Sequence, residues 1–493
     1  MKTLLTSPRF SIAAVLLFAL AVRLVGINHG FPFIFHVDEP AVVRSALGLR
    51  FSPNPGHFDW PHLHFYLNYA VYFLFIKFRA FLQILNLRAA VEDIFPLLWR
   101  DPLIFYVISR SLSAIMGAFT VIPVYLTGKV LFDKKTALFS AFIFAILPFH
   151  VHTSHYALID VPMVFWLSWA LFFAAKVLRS QKVINYLLAG FFIGFAASTK
   201  YNGGLFALIV PIAHFMREGK AVFKGVGRLG LSGLLAVFGF FLGTPFAIID
   251  FSKFIGSDSP SGALWQFVNV GKVGLVDQVR QLFSNLLYKL SDDLGYVFLA
   301  TYLATAGCAF FRRNISLVFL LLPSLFVLFY VSGFEKTRSH YYLGMYPFVA
   351  LVSGWFVSVL LEKLKAQGYF VKSILCIAFF GLPLFLAFER TYLFTRQDTR
   401  SILYDWLAKN VVKEDFLVYD GNDLTPVMEK FNQNRTKKGD LPDVKRVSGT
   451  GFFIKSSSDD FDSTLAGMKA VRVIKADMRH GPNIAVYTIG GPQ

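Results

Sequence analysis

Residues 62–87, HLHFYLNYAVYFLFIKFRAFLQILNL, decide how the rest of the chain is threaded. The run is apolar as far as Ile76, and Lys77 and Arg79 then interrupt it. If it crosses a bilayer, every later loop changes side; if it lies along a surface, none does. The composition says that a bilayer is involved. The 493 residues are 55% hydrophobic and only 16% charged, with a mean hydropathy of +0.56. That balance excludes a disordered chain and fits a polytopic membrane protein. Eleven other runs approach the roughly 20 apolar residues that a spanning helix needs. They are Phe10–Ile27, Leu103–Val130, Thr136–Phe149, Val161–Val177, Ile184–Ser198, Leu205–Met216, Leu229–Ile249, Gly295–Phe311, Ile315–Val331, Tyr342–Leu361 and Ser373–Phe388.

Charge then settles the quoted stretch. If it does not cross, Lys134-Lys135, Lys176–Lys182, Arg217–Arg228, Arg312-Arg313 and Glu362–Lys372 all share the side of the N-terminus. Every one of these loops is basic, as cytoplasmic loops are. Asp38-Glu39, Asp160, Lys200-Tyr201, Asp250 and Arg338–Tyr342 then share the opposite side. If the stretch crosses, the basic clusters move outside and the pattern fails. We therefore read eleven spans, with 62–87 as an interfacial helix in the first outer loop, its apolar face toward lipid. The same sorting accounts for the net charge of +18 through membrane topology, so nucleic acid is not expected as a partner; membrane lipids are. At the N-terminus, Ala19-Leu20-Ala21 resembles a signal-peptidase site. The apolar run continues past it to Ile27, interrupted only by Arg23, and is read as an uncleaved anchor. Cys308 and Cys376 lie inside apolar runs and give neither a disulfide framework nor zinc spacing.

Beyond Glu389 the composition changes. Asp398–Asn410 has the pattern of an amphipathic helix with Asp398 or Thr399 as N-cap. Phe416–Tyr419, Phe452–Lys455, Val471–Ile474 and Ile484–Ile489 have the pattern of short strands between Gly and Asp turns. The expected organisation is a transmembrane domain over 1–395, with outer loops 28–102 and 251–293, and a small extracytoplasmic α/β domain over 396–493. No internal repeat is visible, so the symmetric halves of many transporters have no support.

The outer side collects the chemistry. His36-Val37-Asp38-Glu39-Pro40 follows the first span, and a paired acid beside a membrane is expensive enough to suggest function. His57, His62 and His64 crowd one short stretch; His150, His152, His155, Tyr156 and Asp160 another; Lys200-Tyr201 and Arg338-Ser339-His340-Tyr341-Tyr342 complete the set. A carboxylate can take the proton of an acceptor hydroxyl, while a leaving phosphate needs positive charge and hydrogen bonds, which Lys200 and Arg338 can supply. Each group also has a plain structural use. Asp38 and Asp160 suit helix N-termini ahead of Pro40 and Pro162, the cations can snorkel to headgroups, and the histidines suit a solvated aromatic loop, since no spacing marks a metal site.

The order of these motifs resembles the GT-C glycosyltransferases, specifically glycosyltransferase family 39, the protein O-mannosyltransferase and aminoarabinose-transferase group. The stretches that carry the resemblance are Phe35-His36-Val37-Asp38-Glu39, Trp60-Pro61-His62-Leu63-His64-Phe65-Tyr66, Ser109-Arg110-Ser111-Leu112-Ser113-Ala114, His155–Pro162, Ser198-Thr199-Lys200-Tyr201 and Arg338–Pro347. The resemblance covers Phe10–Glu389. It implies a GT-C helical membrane fold and an inverting enzyme. That enzyme moves a single sugar from a polyprenyl-phosphate donor to a hydroxyl of a protein, lipid or polysaccharide acceptor on the extracytoplasmic side. It assigns Asp38 as catalytic base, Glu39 as its neighbour placing the acceptor, and Asp160 as second acid. It assigns Lys200, Arg338 and Tyr341 to the donor phosphate, and His36, His62, His155, Tyr201 and His340 as candidate substrate contacts. No metal ligands are assigned, and a divalent metal is left open. The chain departs from the pattern at His62, where many relatives have proline, and at His155-Tyr156, where an arginine often precedes the second acid. No luminal β-trefoil insert is visible, which points to a bacterial or archaeal plasma membrane. The rival expectation is a transporter or flippase for an anionic lipid or solute.

Overall fold

The computed structural model describes residues 8–218, 225–309, 313–364, 369–440, 450–458, 464–465 and 468–489. Each of the eleven apolar runs falls on a described helix. We number α1 Pro8–Leu24, α2 Glu39–Gly48, α3 Leu63–Ile84, α4 Leu103–Phe119, α5 Val121–Leu131, α6 Lys134–Ala145, α7 Asp160–Arg179, α8 Val183–Thr199, α9 Ile209–Glu218 and α10 Val226–Gly243. The series continues with α11 Tyr296–Ala309, α12 Ile315–Ser332, α13 Tyr346–Lys363, α14 Tyr369–Thr395 and α15 Thr399–Asn410. The chain divides into two compact units: Met1–Leu24 with Ala41–Arg390, and Val25–Pro40 with Thr391–Gln493. Sequence alone put 25–40 with the transmembrane part; its aromatic contacts, described below, put it with the C-terminal residues.

The first unit is a helical bundle whose core runs from Ala19 on α1 to Ala387 on α14. Among the described residues, seven stretches are long and apolar enough to cross a membrane, and Ser11–Leu24, Val183–Thr199 and Tyr296–Ala309 are shorter apolar helices. α8 and α10 lie side by side and run parallel. Gly190 faces Ser232 and Gly194 faces Ala236, and a Cβ on Gly190 would sit 2.0 Å from the Ser232 carbonyl oxygen. Small residues let two membrane helices approach this closely.

The bundle has two chemically different ends. At one, Arg179 donates to the carbonyls of Val130 and Leu131 and to the Ser316 hydroxyl. Arg217 donates to the Leu178 carbonyl, and Arg228 to the Gln181 side chain. Arg179 and Arg217 thereby satisfy carbonyls left over at helix C-termini. α7 runs from this end to Asp160, about 30 Å away at 1.5 Å per residue, where Lys200, Thr244 and the 337–342 loop also lie.

α3 is long enough to span, yet both of its ends lie at the Asp160 end. Its start is tied there by the His62 amide donating to Thr244. It then runs along the first turns of α4, with Tyr72 against Ser109 and Phe105, and Arg79 paired with Asp101 at 3.0 Å. α4 reaches the level of Asp160 only at Ser113, which donates to the Leu158 carbonyl, and its continuation α5 ends at Leu131 beneath Arg179. α3 therefore runs away from the bundle core, and its exposed face carries Phe73, Leu74, Ile76, Phe78, Phe81 and Ile84.

The second unit holds a five-stranded sheet in the order β2-β1-β3-β7-β6. The strands are β1 Phe416–Asp420, β2 Thr436–Lys438, β3 Gly451–Ser457, β6 Arg472–Ile474 and β7 Asn483–Ile489, with a β4 Thr464–Leu465 and β5 Met468–Lys469 pair beside them. β1 is parallel to β2 and β3, and β7 is antiparallel to β3 and β6. α15 packs Leu403 and Leu407 on one face of the sheet. The short strand β2, a run of polar residues, carries no alternation to mark it in the sequence.

Candidate functional site

In the first unit the site is built on the N-terminus of α7 and the C-terminus of α8. Asp160 is the first residue of α7, where the helix dipole favours a carboxylate. Lys200 caps α8 in an extended conformation, which turns its side chain back toward Asp160. The ammonium donates to the carboxylate at 2.5 Å, and both side chains are nearly buried. Lys200 also stands 5.5 Å above the Tyr341 ring. Two residues that are 40 apart in the chain and one from a distant loop thus make a single charged centre. A lysine has three N–H donors, and Asp160 takes one in a fixed direction.

Tyr341 lies in the 3-10 turn Ser339–Met345 that follows Arg338, and its amide donates to the Arg338 carbonyl. Arg338 itself is exposed and, among the described residues, is in no ion pair. His340 packs edge-on against Tyr341 at 4.7 Å. The loop is fixed from beneath. Lys289 donates to the carbonyl and hydroxyl of Thr337 at 2.8 and 3.1 Å. Asn285 donates to the Tyr342 hydroxyl, which also meets Ser332. Asp293 bonds Ser339, and its burial raises the carboxyl to about 6 despite Ser339, Arg390 and Lys289, with Asp292 adding to the rise. Sequence reasoning gave no roles to these three anchors. A signal was present: Asn285, Lys289 and Asp293 are spaced by four, which places them on one helical face.

The expected substrate contacts divide. His62 is fully buried; its Nε2 donates to the His57 carbonyl, its ring stacks on Phe58, and burial lowers it to about 4. His155 is also fully buried, with Nδ1 donating to the Val151 carbonyl. The Tyr201 hydroxyl donates to the Phe58 carbonyl at 2.7 Å, and burial raises its pKa. His62 and Tyr201 brace the 57–64 loop, and His155 is tied within its own 150–160 stretch. Their aromatic neighbours, hidden from one-dimensional spacing, decide that. His57 is held between Ser45 and Asp59. His150 meets Arg23, whose guanidinium closes the carbonyls of Phe144 and Ala145 at the end of α6. Among the described residues no three His, Cys, Asp or Glu side chains gather as a metal site would require.

The acidic pair belongs to the second unit. Asp38 is half-buried, and its amide donates to His36 Nδ1 at 3.2 Å. The Glu39 amide donates to the His36 carbonyl, and Glu39 opens α2 with a fully buried side chain. The two carboxylates therefore differ: Glu39 is enclosed at a helix start, and Asp38 is open at the turn before it.

Residues 102–256 match the family model described as dolichyl-phosphate-mannose-protein mannosyltransferase. The chain is 31% identical over 161 residues to dolichyl-phosphate-mannose–protein mannosyltransferase 1 of Saccharomyces cerevisiae, across 29% of this chain and 18% of the yeast protein. In structure it is similar to ArnT of Cupriavidus metallidurans, solved bound to undecaprenyl phosphate. The TM-score is 0.52 at 11% identity, covering 98% of each chain. It is also similar to the Archaeoglobus fulgidus oligosaccharyltransferase tethered to an acceptor peptide. There the TM-score is 0.55 at 15% identity, covering 88% of this chain and 64% of that one. The chain thus spans a small part of the yeast relative and under two thirds of the archaeal one. The protein has the GT-C membrane fold, and its residues 102–256 are similar to the dolichyl-phosphate-mannose-protein mannosyltransferase family.

Proposed function

We propose that this protein is an integral-membrane, inverting glycosyltransferase that moves one sugar from a polyprenyl-phosphate donor to a hydroxyl of a protein, glycolipid or surface polymer. The observation that carries the proposal is the Asp160–Lys200 pair over Tyr341, set at one end of a GT-C bundle and inside the segment that matches the family model. Basic loops at the opposite end support an extracytoplasmic position for this end, where no nucleotide-sugar pool exists and a lipid-linked donor answers the supply problem. The extracytoplasmic face of a prokaryotic plasma membrane is the setting.

In the proposed step, Asp38 takes the proton of the acceptor hydroxyl, whose oxygen bonds to the anomeric carbon from the face opposite the phosphate. The bond from that carbon to the phosphate oxygen breaks, and polyprenyl phosphate leaves with the electron pair. The leaving phosphate needs no proton. Lys200 and Arg338 meet its growing charge, and Asp160 aims Lys200 without moving during the reaction, which is how preorganised charge lowers a barrier. A positioned base is worth about 10²–10⁴-fold. The ligands held by the structural relatives, undecaprenyl phosphate and an acceptor peptide, support the substrate classes. Asp38→Asn should reduce transfer from polyprenyl-phosphate mannose or aminoarabinose by about 10³-fold while leaving Tm unchanged, followed by mass spectrometry of the acceptor. Full activity in that variant overturns the assignment of the base.

A further inference from the structure

Residues 25–38 contain no helix or strand, so something outside the segment must fix it. The second unit does so at two places. Gly26, at φ +80°, lies against the Phe394 backbone so closely that a Cβ would come within 2.8 Å. The His29 ring packs 4.5 Å from Phe394, which in turn packs on His480. Further along, Phe33 is buried in the core of the sheet and α15, edge-on to Tyr404 at 5.0 Å and stacked on Phe35 at 5.7 Å. The Arg400 guanidinium lies over the Phe35 ring at 3.8 Å. Its edge is taken by Asp398, with Nε donating to Oδ1 at 2.8 Å and Nη2 to Oδ2 at 2.7 Å. Asp398 in turn caps α15 by accepting the Arg400 amide. A guanidinium can use its edge for a carboxylate and its face for a ring at the same time, which an ammonium cannot.

We infer that the C-terminal unit is a clamp for the acidic turn, with Arg400 and Phe35 as positioning residues that set where Asp38 is presented. Phe35 is next to His36, whose ring nitrogen and carbonyl receive the amides of Asp38 and Glu39. The clamp thus ends one residue before the turn it holds. Asp398 neutralises Arg400, so the clamp's cation is spent inside the unit and is not offered to an anionic substrate. The clamp rests on the proposed role of Asp38 only for its effect on transfer; its effect on the 30–40 segment is independent of that role.

The test uses the full chain in nanodiscs and two readouts. Hydrogen–deuterium exchange should rise in residues 30–40 of Phe35→Ala and Arg400→Ala. In Phe35→Ala, residues 402–410 of α15 should keep their protection. With polyprenyl-phosphate mannose and a serine-rich peptide as probes, kcat should fall by about 10–100-fold, as a misplaced reacting group predicts, with KM for the donor unchanged. Phe35→Trp, which keeps a face for Arg400, should restore both readouts, and Arg400→Lys should not. Unchanged exchange in 30–40 overturns the clamp whatever the activity. Raised exchange with unchanged transfer, in an enzyme that Asp38→Asn inactivates, overturns its catalytic relevance. If Asp38→Asn is itself active, the base assignment falls and exchange alone judges the clamp.

Discussion

The loop at 337–342 and the segment at 33–39 both carry charged groups assigned to one reaction, and they are held by opposite means. The first rests on buried polar side chains: Asn285, Lys289 and Asp293 bond to Tyr342, Thr337 and Ser339. The second rests on aromatic faces, with Phe33 and Phe35 against Tyr404 and Arg400. A hydrogen bond made away from water is directional and costly to lose, so the first loop is fixed by groups that fail abruptly when cut. Ring contacts spread their stabilisation over area, so the second should loosen by degrees. The cationic loop should therefore respond to single-atom changes, and the acidic turn to changes of shape.

Four changes put that contrast to the test. The largest effect is expected at Asp160. Asp160→Asn leaves Lys200 buried without its counter-charge and should cost about 3–5 kcal/mol, measured as loss of Tm in detergent. Adding Lys200→Met should recover most of the Tm but none of the transfer, which separates fold from chemistry. Lys200→Ala should lower kcat by about 10²–10³-fold, the usual size for one preorganised charge on a developing anion; less than tenfold would move the phosphate away from Lys200.

Asp293 gives a pH signature. Its folded-state carboxyl, at about 6, lies above the ordinary carboxylate value. Between the two values the folded protein holds a proton that the unfolded chain has released. Its contribution to stability is therefore present at low pH and is lost as pH rises through about 6. The groups around it are Asp292, Lys289, Arg390 and Ser339. The wild-type minus Asp293→Asn difference in stability should fall by an amount on the order of 3 kcal/mol from pH 4 to 7. His62 titrates with the opposite slope and cancels in that difference. A flat difference would mean that Asp293 is not enclosed. The smallest effect is expected at Tyr201→Phe, which removes one hydrogen bond to the Phe58 carbonyl and should cost about 1 kcal/mol in Tm with little change in kcat.

Much of this arrangement can be read from residues 1–493 in order. Each apolar run forms a helix because a bilayer offers no other partner for the backbone. The side taken by 62–87 follows from where lysine and arginine fall, and in the structure both ends of α3 are at the Asp160 end. Asp398 caps α15 as its spacing predicts, and four of the sheet strands sit where alternation and turn residues place them. Asp160, Lys200 and Tyr341 were legible as members of one set, and the fold brings these three into contact. Polarity in a sequence says nothing about enclosure: His62 and His155, expected as candidate substrate contacts, are buried and hydrogen-bond to backbone carbonyls inside the 57–64 and 150–160 stretches.

What the sequence determined, then, is everything that depends on local composition: which runs enter the bilayer, which end of the bundle is basic, and which residue types are on hand for acid–base and phosphate chemistry. Only the tertiary structure decided who holds them. The Asp160–Lys200 bond, the Asn285–Lys289–Asp293 support and the transfer of 25–40 to the C-terminal unit join residues that are tens to hundreds of positions apart. Such contacts are selected by shape, burial and the direction of hydrogen bonds, and none of these is fixed until the chain has packed.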